Sequence, residues 1–181
     1  MESGYSSHEQ TINKPRNGLT QKMIFVLFVC TANRFRSPLA EAFFKAKVAS
    51  LNKPEEWQVE SAGTWVNESL PPTIEAMEEA KKRHLNVDQH RSRIVNPPLM
   101  REANIILTME SGQKEALVHE FSEFKGKVFQ LTELGGGIRY NIPDPYSTNE
   151  SPAVIAQELE ELIENIFPLI YQYFVVNTSD F

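Results

Sequence analysis

The sequence predicts an α/β fold: one domain built on an open parallel sheet with helices on both faces. Two observations carry this expectation. Short, continuous apolar runs rich in Ile, Val and Phe alternate along the chain with longer segments of helical period, the pattern of strands buried on both faces and joined by crossover helices. The length of 181 residues suits a single domain with a sizeable core.

The elements follow in order. Residues 1–22, "MESGYSSHEQTINKPRNGLTQK", are polar and mixed, and read as a disordered tail. They lack the apolar centre and small-residue cleavage site of a signal peptide. "MIFVLFV" (23–29) is a buried strand, too short to span a bilayer. Ser37-Pro38 opens a helix, with Ser as N-cap, Pro at the first helical position and Glu41 in the first turn. Leu39, Phe43 and Ala46 share one face of it, through about residue 49. "WQVES" (57–61) is a second strand, stopped by Ala62-Gly63.

The segment 72–85 reads as a surface helix with Ile74, Met77 and Leu85 inward and a charged outer face. "ANIILT" (103–108) is a third strand, followed by a helix over roughly 111–121, and "KVFQL" (127–131) is a fourth. Residues 132–150 are loop-like, and Gly135-Gly136-Gly137 reads as a flexible turn. A last helix begins near Ser151-Pro152 and presents Leu159, Leu162, Ile166 and Ile170, with a bend expected at Pro168. The folded unit is expected over 23–176, with a short C-terminal tail over 177–181.

Composition narrows the function. A formal net charge of −6 argues against nucleic acid or an anionic membrane as the main partner. One cysteine makes no internal disulfide, and no Cys/His cluster suggests zinc, so no metal and no cofactor is expected. A reducing, cytoplasmic compartment fits this cysteine usage.

That single thiol, Cys30, ends the first strand in "FVCTANRFRS" (28–37). In open parallel sheets, ligands bind outside the carboxyl ends of the strands. A loop running from strand to helix points its backbone N–H groups at one focus, and the helix adds its positive end. Such a nest favours an anion, and it favours a thiolate over a thiol. Free cysteine ionises near about 8.5, and helix N-termini or neighbouring cations lower this to roughly 3.5–7.5. Arg36 offers an always-charged planar fork that matches two phosphoryl oxygens, and Ser37 offers a hydroxyl to the sulfur. A buried structural cysteine would explain Cys30 alone, but not Arg36 and Ser37-Pro38 at these offsets. Phosphoryl transfer to a thiolate needs a group to protonate the leaving phenolate and later activate water. Asp144, between Pro143 and Pro145 in "IPDPY", is the candidate.

Taken together, these segments resemble the low-molecular-weight protein tyrosine phosphatase family from Met23 to about Tyr173. "VLFVCTANRFRSPLAEAFF" is similar to the family's phosphate-loop signature, and "VESAGT", "HRSR", "NIILTM" and "IPDPY" follow in the family's order. The resemblance implies a four-stranded parallel sheet with the phosphate-binding loop after the first strand, residues Cys30, Thr31, Ala32, Asn33, Arg34, Phe35, Arg36 and Ser37. It implies Cys30 as nucleophile, Arg36 as phosphate clamp and Asp144 as general acid, then base. Asn33 is expected to hold a left-handed turn, supported by Ser61 and His90. The cleft wall is expected to rest on Arg34, Tyr146 and Trp65. The implied substrate is a phosphotyrosine-containing protein or a small aryl phosphate, with phosphate as product and inhibitor.

This chain departs from the family pattern in four places. Ala32 stands where the family usually has Gly. Phe35 occupies the position of the family's frequent second cysteine, and Arg34 a position that is usually apolar. Ser147 follows "DPY" where another aromatic is common. Three alternatives remain. Arsenate reductases share the scaffold; their thioredoxin-linked forms relay electrons through two further cysteines that this chain lacks, which leaves a thiol-linked form that draws on outside thiols such as glutathione or mycothiol. A protein-arginine phosphatase would set a guanidinium beside Arg34. A non-catalytic phosphate-binding regulator would be expected to have lost Cys30, Arg36 or Asp144.

Overall fold

The computed structural model describes residues 23–134 and 138–176. The tails assigned to 1–22 and 177–181, and the Gly135-Gly136-Gly137 turn, lie outside the described residues.

Four strands, β1 (Ile24–Cys30), β2 (Trp57–Gly63), β3 (Ile105–Thr108) and β4 (Val128–Gln130), form one sheet in the order β2-β1-β3-β4. All three pairings are parallel, with Phe28 opposite Ser61 on one side and Leu107 on the other. This is the architecture the apolar runs predicted. Every residue of β1 is buried, because alternate side chains enter different cores. Ile24, Val26, Phe28 and Cys30 face one layer; Phe25, Leu27 and Val29 face the other.

The first layer is covered by α1 (Arg36–Ala49), α2 (Ile74–Lys82) and α6 (Pro152–Tyr171). Leu39, Phe43 and Phe44 of α1 meet Ile155, Leu159, Ile163 and Ile166 of α6 there. The second layer holds α3 (Pro97–Glu102) and α4 (Ser111–Glu120), with Leu99, Met100 and Leu117 inward. A single turn, α5 (Leu131–Leu134), follows β4. With both faces of the sheet covered, the open ground lies at the carboxyl ends of the strands.

Some local expectations are corrected. The first helix begins at Arg36, with Phe35 at the cap position, so Ser37 lies inside the first turn. Its hydroxyl is occupied by Cys30 and Asn33 rather than by a backbone N–H. Pro38 still fits, because N–H groups in the first turn have no helical acceptor. Ile74 is 68% exposed. It is the first residue of α2; Met77 and Leu85 pack against the core as expected, and the buried positions of the helix are Ala76, Glu79 and Ala80. Buried Glu79 thus sits on the face expected to be apolar, paired with Lys82 and Arg83. Arg83 also reaches Glu160 at 2.7 Å and ties α2 to α6. The short helix α3 was not expected. Its signal was "NPP": Asn96 accepts the Leu99 N–H at 3.0 Å, and Pro stands at the helix start.

Candidate active site

Cys30 is the last residue of β1, and the chain turns at once toward α1. Its Sγ lies 3.0 Å from the Ser37 hydroxyl and accepts the Asn33 N–H at 3.2 Å. The sulfur thus sits between a backbone amide and a hydroxyl at the start of α1.

Asn33 shapes the turn. Its φ is 55°, the left-handed region that Asn adopts more readily than most residues. The side chain is fully buried and fully used. Nδ2 donates to Ser37 Oγ at 3.0 Å and Ser61 Oγ at 2.9 Å, while Oδ1 accepts the Arg93 N–H at 3.0 Å. Its carbonyl meets His90 Nε2 at 2.8 Å. Ser61 passes the network on by donating to Glu41 at 2.6 Å. Burial pushes the His90 imidazole below the ordinary histidine range, against the pull of the Asn33 carbonyl and Glu41. Gly63 is required by close approach. A Cβ there would stand 2.4 Å from the Thr31 carbonyl oxygen and 2.5 Å from Val66.

The Arg36 side chain is 1% exposed. Nη1 pairs with Glu110 and donates to the Ile142 carbonyl at 2.9 Å; Nη2 meets Asp144 Oδ2 at 2.6 Å. Among the described residues these contacts use both Nη1–H groups and one Nη2–H, and leave Nε–H and the second Nη2–H on the side-on edge of the fork. Asp144 Oδ1 accepts the Tyr146 N–H at 3.0 Å, so the carboxylate is held by its own turn. Gln113 braces the other side. Its Oε1 accepts the Met109 and Glu110 N–H groups at 3.0 and 3.1 Å, and its Nε2 donates to Thr31 and Glu110.

Cys30, Arg36 and Asp144 face one cleft of ≈ 200 Å³, walled by Ala32, Arg34, Phe35, Thr73 and Tyr146. The Phe35 and Tyr146 rings meet edge to face, centroids 6.3 Å apart. Burial, together with a hydrogen bond to Glu75, pushes the Tyr146 phenol up to about 12, and the same bond holds the Glu75 carboxyl below its usual range. Arg34 Nε donates to the Pro71 carbonyl at 2.9 Å, and the Arg34 carbonyl accepts the Thr73 N–H at 3.0 Å. The rim loop is thereby stapled to the phosphate loop.

The structure brings Cys30, Arg36, Ser37 and Asp144 together and sets Ser61 and His90 behind Asn33. Trp65 does not join them. It is 83% exposed and absent from the cleft wall, and its backbone N–H donates to the Thr31 carbonyl at 3.0 Å. Sequence reasoning missed Glu110, Gln113 and Arg93. The first two form a reciprocal capping box at the start of α4, legible in the spacing of "MESGQ". Arg93 contributes a backbone N–H, which no side-chain pattern reveals. Among the described residues, no group of three or more His, Cys, Asp or Glu side chains is placed to hold a metal ion. Among those residues, no helix is long and apolar enough to cross a membrane.

A family profile described as low molecular weight phosphotyrosine protein phosphatase matches residues 25–173. A protein-arginine-phosphatase from Bacillus subtilis (strain 168) is 32% identical over 144 residues, 78% of this chain and 93% of that protein. The low molecular weight phosphotyrosine protein phosphatase of Homo sapiens is 32% identical over 129 residues, 70% of this chain and 82% of its own length. The crystal structure of a low molecular weight protein tyrosine phosphatase from T. tengcongensis superposes with a TM-score of 0.74 at 34% identity. It covers 81% of this chain and 99% of that one.

Proposed function

Since the chain belongs to the low molecular weight phosphotyrosine protein phosphatase family, we propose that it hydrolyses phosphotyrosine esters through a phosphocysteine formed on Cys30. The observation that carries this reading is the meeting of three groups at one cleft: the Cys30 sulfur beside Ser37, the Arg36 fork, and Asp144 at 2.6 Å from that fork. Binding sets two phosphoryl oxygens on the free edge of Arg36 and on the loop N–H groups. The Cys30 thiolate attacks phosphorus, and the P–O bond to the phenol breaks as Asp144 gives its proton to the leaving oxygen. Asp144, now ionised, takes a proton from water as the water attacks phosphorus. The S–P bond breaks, phosphate leaves and the thiolate returns. Asn33, Ser61 and His90 hold the loop in the shape this sequence of steps needs.

The substrate we infer is a phosphotyrosyl protein or a small aryl phosphate, with phosphate as product and inhibitor. We place the enzyme in the cytoplasm, where a lone catalytic thiol stays reduced. Hydrolysis of para-nitrophenyl phosphate in the presence of chelator, lost in Cys30→Ser with the fold retained, is the expected result. Undiminished turnover by Cys30→Ser, or turnover abolished by chelator, overturns it.

A further inference from the structure

Arg34 is a cation that the catalytic steps leave unused. It stands in the cleft wall two residues before Arg36. The two arginines differ in their surroundings. Arg36 is matched by Glu110 and Asp144. Arg34 is held by Nε on the Pro71 carbonyl. Among the described residues, no carboxylate pairs with its guanidinium. The carboxylate on this rim, Glu75, is engaged by the Tyr146 hydroxyl. Arg34 is near enough to Tyr146 that its charge opposes the upward push on the phenol. The guanidinium is therefore oriented by a neutral partner, with its terminal N–H groups uncommitted. Such an arrangement costs little ordering when a second anion arrives.

We propose that Arg34 forms a second anion subsite at the mouth of the cleft, selecting phosphotyrosine with an acidic residue beside it. This deepens the phosphatase reading and rests on it. With the phosphoryl group on Arg36 and the tyrosyl ring in the cleft that Phe35 and Tyr146 wall, the neighbouring residue of the peptide meets the rim. A carboxylate there, about 6 Å from the guanidinium at a dielectric between surface and bulk values, gains roughly three- to tenfold in kcat/KM. The same cation repels the positive guanidinium of a phosphoarginine side chain, which disfavours that substrate.

The test uses the full chain, its Arg34→Gln and Arg34→Lys variants, para-nitrophenyl phosphate, and paired phosphotyrosine peptides with Glu or Gln beside the phosphotyrosine. At low ionic strength the wild type is expected to prefer the Glu peptide by roughly three- to tenfold. The preference should collapse in Arg34→Gln, persist in Arg34→Lys, and fade at about 1 M salt, where the screening length is about 3 Å. A phosphoarginine peptide should be a poorer substrate for the wild type than for Arg34→Gln. Equal use of the two peptides by the wild type, or an undiminished preference in folded Arg34→Gln, overturns the subsite. If Arg34→Gln does not fold, the wild-type ratio and its salt dependence decide. Failure of the wild type to hydrolyse para-nitrophenyl phosphate overturns the phosphatase reading itself. Hydrolysis of that compound with a flat peptide ratio overturns only the role of Arg34.

Discussion

Replacing Asn33 should separate what its side chain bonds contribute from what its backbone conformation requires. Both Asn33→Gly and Asn33→Ala remove three buried hydrogen bonds, to Ser37, Ser61 and the Arg93 N–H. At about 1 kcal/mol each, the shared loss is about 3 kcal/mol. The two differ at φ 55°. Alanine there carries a left-handed cost of about 1–2 kcal/mol. Glycine carries none, but loses about 0.4–1 kcal/mol through a freer unfolded chain. Alanine should therefore be the less stable variant by about 0.5–1 kcal/mol, with a total loss of about 4–5 kcal/mol against a typical domain stability of about 5–15 kcal/mol. The Asn33 N–H also supports the Cys30 sulfur at 3.2 Å. Misplacing it should lower kcat in both variants, by roughly a hundredfold for a shift of about 1 Å. Urea unfolding read by tryptophan fluorescence gives the stabilities, and para-nitrophenyl phosphate gives the rates. An alanine variant equal to wild type, or more stable than the glycine variant, would refute the reasoning.

Three further outcomes are expected. Asp144→Asn should slow phenyl phosphate far more than para-nitrophenyl phosphate, because a poor leaving group needs the proton most; a general acid contributes about 10²–10⁴-fold. Equal losses on both substrates would show that Asp144 is not the donor. Peroxide should inactivate the protein beyond recovery by dithiothreitol, because Cys30 is the only cysteine and its sulfenic acid has no partner thiol in the chain. Recovered activity, together with mass spectrometry of the Cys30 peptide, checks this; full recovery with no sulfinic or sulfonic acid contradicts it. Glu79→Gln should destabilise at neutral pH and lose that effect in acid. Burial acts upward on Glu79, but Lys82 and Arg83 outweigh it and hold the carboxyl below its usual range. Its stabilisation is complete above the unfolded value of about 4.3 and is lost as pH falls through the lower folded value. A thermal-midpoint gap between wild type and variant that stays constant from pH 7 to pH 3 would contradict this account.

What could be read in the sequence follows distance along the chain. The strand ending at Cys30, and Arg36 six residues on, are local, and a thiol at the carboxyl end of a buried strand has few uses. The sheet was legible because β1 is apolar at all seven positions, which only burial on both faces explains. The braces of the site were not legible, because they meet only in three dimensions. Glu110 lies 74 residues from Arg36, and Gln113 lies 82 from Thr31. Side-chain direction at element ends was also hidden. Ile74 was placed inward by periodicity, but the first residue of a helix can lie beyond the layer it covers. Trp65, just beyond β2, is 83% exposed and does not join the wall it was expected to line.

The contacts of Arg36 also bear on how the cleft works. Of its two carboxylates, Glu110 belongs to the cap of α4 and is fixed by Gln113. Asp144 belongs to a turn held by the Tyr146 and Thr148 N–H groups to its own side chain and carbonyl. One counter-ion is therefore built into the scaffold, and the other rests on a separate loop. Under the mechanism we propose, a phosphoryl dianion at the free edge of Arg36 brings its own negative charge and makes the Asp144 pairing electrostatically redundant. Glu110 still holds the guanidinium in its plane when that happens. Asp144 is then available for the leaving oxygen, on the side of the cleft that carries Tyr146. In the proposed mechanism Glu110 keeps the clamp in position, while Asp144, released from Arg36 and protonated from solvent, gives that proton to the leaving oxygen.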